Sequence, residues 1–426
     1  MKRLLSLLLV VVLVICCFSG CGKDTKKANG DTSVKITDKY KGKFRVGFAR
    51  VDLTPDHTVP LAGYGNSEKR MSTGSLDSLY VECISVSDEK NNTVLMMSYD
   101  NVGVSAIGTM DTLRNNISSK SGVPADNVFI TATHTHSAID TSNTDKVGYL
   151  NVYNKFMYTC FNEVVIKSLN DRKPAKAFCG STEAVGLNFV RHYIAADGGI
   201  MADNHDTRAN TNVPLVKNAT DADPTLYMLK FEREGGKDVY YTNWRCHPNM
   251  VRSFSADSIS ADFVGVFREE VEKALDCYCV YFQGAAGNIN GTSNIDMSTK
   301  SKTFRDQGKK LAEYLINAKD SLKAVPTGEV KTKKLAQSAN INHKSDYLLP
   351  VAMQVAADWT TNNNATTATA IGKPYGIYSP YHANRIINNS RMDKSDTFVI
   401  QVATIGKEIG FTFAPYEMFD TNSNYI

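Results

Sequence analysis

Histidine is scarce in this chain, with eight in 426 residues. Charge of one sign is nearly absent as an excess, since the formal net charge is +4. No stretch interleaves Lys and Arg with aromatic residues, so a nucleic-acid partner has no electrostatic support. The nine cysteines form no dense framework, which sets aside a small disulfide-stapled scaffold. Apolar neighbours in "LYVECISV" and "DCYCVYF" instead point to buried thiols. No internal repeat is visible. A hydrophobic content of 42% supports the core of one large domain or two ordinary ones, the size class of a globular enzyme.

The one long apolar run is at the start. "MKRLLSLLLVVVLVICCFSGCGKD" has a basic beginning, an apolar stretch of signal-peptide length and small residues ending in Cys21. It reads as an export signal, and "FSGC" resembles a bacterial lipobox, which makes Cys21 the expected lipidation site. An uncleaved membrane anchor is the other reading, and the run is short for a spanning helix. The expected location is therefore outside the cell membrane, lipid-anchored to it. Residues 22–43 are polar and Lys-rich, as in a solvated tether, so the folded domain is expected at 44–426.

From Phe44 onward, short apolar or β-branched runs separated by Gly, Pro, Asn and Asp predict strands and turns. Helical spacing predicts helices in "SAIGTMDTLRNNISSKSG", closed by Gly122, in "YNKFMYTCFNEVVIKSLN", in "ADFVGVFREEVEKAL" and in "KTFRDQGKKLAEYLINAKDSL". The alternation predicts an α/β fold with a mixed β-sheet core and flanking helices. "TTNNNATTATAIGKPYG" reads as a surface loop, and the chain closes on a strand pair and a loop holding Glu417.

Two of the eight histidines occur in "NVFITATHTHS", at the expected end of a strand. Residues two apart in a strand face the same way, so His134 and His136 share one space. Two neighbouring imidazoles repel when charged, which favours a metal or a neutral role. One ligand and one acid/base group is a natural division. A catalytic zinc takes about three protein ligands. His247 in "NWRCHPNM" and Glu417 in "FAPYEMF" are the further candidates, while Cys246, one position from His247, points to the opposite face of a strand. "QGAAGNING" follows a strand but lacks the P-loop ending and the dinucleotide spacing. It suits close backbone approach at Gly287, with Asn288 and Asn290 oriented toward developing negative charge; a tight turn needing glycine is the alternative. His57, His192, His205, His343 and His382 have no metal-ligand neighbours in sequence.

Taken in order, "VGFARVDLTP", "PLAGYG", "ATHTHS", "CHP", "ISADF", "FQGAAGN" and "APYEMF" resemble the catalytic domain of the neutral/alkaline, non-lysosomal ceramidase family. The resemblance implies a zinc hydrolase that cleaves the amide of ceramide into a sphingoid base and a fatty acid by a zinc-activated water. It implies His134, His247 and Glu417 as zinc ligands, His136 beside the water, and Arg191 in "NFVRHY" as a substrate-orienting residue. Asn288 and Asn290 stand where the family carries Asp and Ser, and Tyr416 where it carries Gly. The family's tyrosine ligand and C-terminal β-sandwich lie beyond the position of Ile426, as expected of a truncated domain. A zinc hydrolase of another amide or ester, and a non-catalytic lipid- or glycan-binding lipoprotein on the same fold, are the alternatives these residues leave open.

Overall fold

The computed structural model describes residues 35–64, 70–103, 110–141, 149–196, 198, 200–202, 214–293, 295 and 301–424. Cys21, His205, the expected export signal and most of the expected tether lie outside these. One compact unit begins at Ile36. Residues 36–43, expected in the tether, belong to it because the fold needs Asp38. The Arg45 guanidinium is 1% exposed, and Asp38 supplies its counter-charge at 2.5 Å. A buried cation without such a partner costs several kcal/mol.

Nine strands make the main sheet, eight of them along one path: β1 (Arg45–Asp52), β2 (Tyr80–Ser87), β3 (Thr93–Tyr99), β4 (Val128–Ala132), β5 (Lys173–Glu183), β6 (Thr225–Arg233), β7 (Val239–Trp244) and β8 (Tyr278–Gln283). Their order is β8-β7-β6-β5-β1-β2-β3-β4, with the short strand Lys323–Val325 also pairing with β5. Only the two edge pairs, β7/β8 and β3/β4, are parallel. Each is joined through a crossover, by α3 (Phe263–Leu275) and α1 (Met110–Ser121) respectively, as parallel pairing requires. The expected mixed sheet with flanking helices is what forms.

Alternation along the strands sorts side chains to two faces. Val46 and Phe48 of β1, Ile84 and Val86 of β2, and Val280 and Phe282 of β8 join one cluster that draws on all eight strands. Such a cluster needs a curled sheet whose edges approach. They meet: the Ser98 hydroxyl on β3 donates to the Tyr281 carbonyl on β8 at 2.6 Å. A second sheet, of β9 (Val330–Asn340), β10 (Ser395–Ile405) and β11 (Ile409–Phe413), closes this cluster with Val330, Ala403, Ile405 and Phe411. On the other face, α1 and α2 (Tyr149–Asn170) cover the β1–β4 half, and α3 and α4 (Phe304–Ala318) cover the β6–β8 half.

"TTNNNATTATAIGKPYG" is helical rather than a loop, a correction with a local cause. Helix α5 (Leu349–Asn362) ends where Asn363 turns left-handed at φ 47° and its N–H bonds the Trp359 carbonyl. Asn364 then accepts from the N–H groups of Thr366 and Thr367 and starts α6 (Ala365–Gly372). Consecutive asparagines act as a stop and a start. Together with α7 (Pro380–Ser390), these helices bury their own apolar cluster around Val355, Ile377 and Ile386.

The meeting of the sheet edges is locked by charge. Arg268 on α3 donates to Glu82 on β2 at 2.9 Å and to Asp100, just past β3, at 2.7 Å. All three are at most 2% exposed. Arg50 on β1 adds bonds to Glu82 at 2.7 Å and to Glu272 on α3 at 2.6 Å. Removing Arg268 takes the guanidinium from buried Asp100 and leaves Glu82 with Arg50 alone, so Arg268→Ala is expected to lower unfolding free energy by about 3–5 kcal/mol in urea titration. A change below about 1 kcal/mol would mean that the edges are held by packing alone.

Asp262 caps α3 from a fully buried position, accepting from the N–H groups of Val251 at 2.8 Å and Phe263 at 2.7 Å. Burial pushes its carboxyl up to about 7, against about 4 in an unfolded chain. Between those values the folded state holds more protons than the unfolded one, so the contribution of Asp262 to stability falls as pH rises. Asp262→Asn lacks this titration. Its stability relative to the unaltered protein is expected to improve from about pH 4 to about pH 7, read from denaturation curves across that range; a pH-independent difference would refute the buried titration.

Candidate metal centre

Strand β4 stops at Ala132, short of the histidines. His134 takes a left-handed conformation at φ 69°, its N–H bonding the Asn101 carbonyl at 2.8 Å. The expected route, two side chains on one face of a strand, is therefore corrected: a turn brings the rings together. The intervening threonines explain how. Thr133 donates to Asp100 at 3.1 Å and Thr135 to the Ser260 carbonyl at 2.8 Å, both fully buried. With the threonines tied into the scaffold, the alternate residues face the site.

The other half arrives from the opposite sheet edge. His247 follows β7, and its N–H bonds the Ile289 carbonyl at 3.0 Å. The N–H of His136 bonds the Pro248 carbonyl at 2.9 Å, which joins the two histidine loops directly. Glu417 follows β11 and is held by the glycine-rich turn after β8. Gly287 donates to the Met418 carbonyl at 2.8 Å. Asn288 donates to the Asp420 carboxylate at 2.7 Å and accepts from its N–H at 2.9 Å. A Cβ at Gly287 would stand 2.5 Å from the Glu417 carbonyl oxygen. Arg245 completes the clasp through Ser423 and Asn424.

The atoms of Gly287 and Asn288 expected to meet a substrate are thus occupied by the Glu417 segment. Asn290 accepts from Asn249 at 3.2 Å. Arg191 donates to the Gly287 carbonyl at 2.6 Å and lies 3.7 Å from Glu417. Cys246 is buried in the apolar cluster under α3 and α4. His57 sits beside Asp56, His343 beside Asp346, and His192 against the Phe419 ring.

His134, His136 and His247 form one group whose ligand nitrogens all lie within 4.8 Å of one another. His134 Nδ1 is 2.6 Å from the Val102 carbonyl and His247 Nδ1 is 2.7 Å from the Ala286 carbonyl. A carbonyl only accepts, so both Nδ1 atoms carry a proton and each Nε2 faces inward. His247 Nε2 is 2.9 Å and His134 Nε2 3.5 Å from the same Glu417 oxygen. Burial holds His247 down to about 4, and burial with the two neighbouring rings holds His136 well below the usual imidazole range. Burial pushes the Glu417 carboxyl up, but its bonds to His134 and His247 outweigh that and leave it low. Three imidazole nitrogens and a carboxylate thus converge on one small space. That donor set fits a cation with nitrogen and oxygen preference.

Sequence patterns could not reveal the Val102 and Ala286 carbonyls, because every residue type has one. Gly63 and Tyr64 had a signal in "PLAGYG": a Cβ at Gly63, at φ 103°, would fall 2.4 Å from the His136 ring. The His136 Nδ1 is buried without a hydrogen-bond partner.

Among solved structures, the chain is similar to neutral ceramidase from Pseudomonas aeruginosa, with a TM-score of 0.55 and 16% identity, covering 71% of this chain and 48% of that one. A ceramidase complexed with C2 gives a TM-score of 0.51 and 16% identity, over 71% and 47%. The chain spans about half the length of these structures. At this identity the likeness shows a ceramidase-like fold alone. No protein-family model matches the chain, and no curated protein matches it.

Because Asn288 supports Glu417 without facing the ring nitrogens, Asn288→Ala is expected to weaken zinc binding roughly 10- to 100-fold, as for other supporting partners of ligands. Competition with a coloured chelator measures this, with circular dichroism as the control for folding; undiminished affinity in the folded variant would show that the clasp does not position Glu417.

Proposed function

We propose that this chain is a zinc-dependent hydrolase of an amide bond, with ceramide as the first candidate substrate. The observation that carries the reading is the convergence of His134 Nε2, His247 Nε2 and the Glu417 carboxylate on one point. These three would hold the ion. What zinc supplies when bound is Lewis acidity toward the scissile carbonyl and a more acidic water.

The remaining work falls to the chain's own residues. His136, neutral and beside His134 at 3.3 Å between Nε2 atoms, takes a proton from water and passes it to the leaving nitrogen. The C–N bond breaks, the water oxygen ends on the acyl carbon, and an acid and an amine leave. Arg191 holds the turn at Gly287 and lies 3.7 Å from Glu417. The likeness to the ceramidase fold supports an amide with a lipid chain. On the same reading the protein is exported and tethered through Cys21, which places it at a membrane surface where such substrates reside.

Elemental analysis of the purified protein is expected to find about one zinc per chain, lost in both His134→Ala and His247→Ala. Ceramide and a panel of simpler N-acyl amides and esters are expected to be turned over by the zinc form alone. His136→Gln is expected to keep the metal and lose about two to four orders of magnitude in kcat. Turnover of esters with inert amides would redirect the assignment to an esterase. A folded protein that takes up no zinc would overturn the hydrolase reading and leave a binding protein.

A further inference from the structure

Next to His136 lies a cationic feature that the hydrolytic chemistry does not use. The Tyr64 ring meets His136 edge-on with centroids 5.0 Å apart, and its hydroxyl donates to the Asn249 carbonyl at 2.8 Å. Two guanidinium groups lie against that one ring, Arg252 at 4.2 Å and Arg70 at 4.8 Å from its centroid. Arg70 is committed to the scaffold: it donates to the carbonyls of Ala256 at 2.7 Å, Ala62 at 2.6 Å and His136 at 2.6 Å. Arg252 is not. It is exposed, and among the described residues it makes no ion pair and no hydrogen bond, only the contact with Tyr64.

Two like charges on one ring repel, and that arrangement gains when an anion joins them. Arg191, by contrast, already has Glu417 beside it. The backbone that carries Arg252 is also fixed: the turn Val251–Ser253 continues the His247 loop, and the Val251 N–H is gripped by buried Asp262 at 2.8 Å. A rigid mount with a guanidinium that is unpaired among the described residues suits recognition of a carboxylate, sulfonate or phosphate.

We propose that Arg252 is a specificity residue that binds an acidic group on the amine half of the substrate, so that an N-acyl compound whose amine portion carries a negative charge is preferred over ceramide, whose amine half has none. This rests on the hydrolase reading above, in which His136 protonates the leaving amine; Tyr64 and Arg252 lie on the His136 side, so the amine half meets them.

The test compares N-lauroylglycine and N-lauroyltaurine, both anionic, with neutral N-lauroylethanolamine, using the full chain and following both calorimetric binding and turnover. The unaltered protein is expected to favour the acids by roughly tenfold or more, an advantage that added salt narrows. Arg252→Gln is expected to bring the ratio near one, and Arg252→Lys to restore part of it. Equal handling of acidic and neutral amides, or a preference that survives Arg252→Gln, would overturn the proposal even if turnover is brisk. Tighter binding of the acids through Arg252 without cleavage of any amide would uphold the anion site and overturn the hydrolase reading instead.

Discussion

The constraint on which everything else depends is that the two edges of one sheet must meet. The residues after β3 and β4 are Val102, His134 and His136, and those after β7 and β8 are His247 and the Ala286–Asn290 turn. These are opposite ends of the strand order, and a flat sheet would hold them several strand widths apart, each width being about 4.8 Å. Curling brings them together at the cost of burying charged groups between the halves. Arg268 and Glu272 on α3 pair with Glu82, Asp100 and Arg50 of the β1–β3 half, with Arg268, Glu82 and Asp100 fully buried and Arg50 and Glu272 partly so.

One residue joins that lock to the site. Asp100 accepts from Arg268 on both oxygens, at 2.7 and 3.3 Å, and also from Thr133, the residue before His134. Loosening α3 therefore reaches the first histidine through a single carboxylate, without a chain of intermediates. Parallel strand pairs at both edges matter for the same reason. One sends the loops after β3 and β4, with Val102 and the paired histidines, to a common end, and the other does the same for the loops after β7 and β8, with His247 and the glycine-rich turn.

Much of the fold could be read from residue order. The amphipathic spacing of Phe263, Val264, Phe267 and Val271 predicts α3 because a buried stripe is a property of periodicity alone. The turn at Asn363 and Asn364 could not be read so easily, since a run of asparagines and threonines signals a loop unless one knows that one Asn turns left-handed and the next caps a helix. The histidines and Glu417 could be found because titratable groups at strand ends in apolar contexts ask for partners. Their means of convergence could not. The β4 strand ends earlier than its β-branched content suggests, because Thr133 and Thr135 have better partners in Asp100 and Ser260 than in a ladder. Gly287 was legible as a position needing close approach, but what approaches is the chain's own Glu417 segment, a contact between residues 130 apart that no local pattern encodes.

That distant contact sets how the site must assemble. The three histidines belong to loops rooted in the buried sheet, whereas Glu417 lies beyond β11 on a segment where Tyr416 and Phe419 are half exposed. Little apolar burial holds the segment down, so its position rests on Gly287, the Asn288–Asp420 exchange and Arg245. Each of these is a modest hydrogen-bonded contact, about 1 kcal/mol or somewhat more when a charge takes part. A cation shared between the histidines and Glu417 adds a stronger tie than any of them. On the proposed reading, occupancy of the centre and docking of the Glu417 segment would be one equilibrium, in which the histidines offer a preformed half-site and the carboxylate closes it.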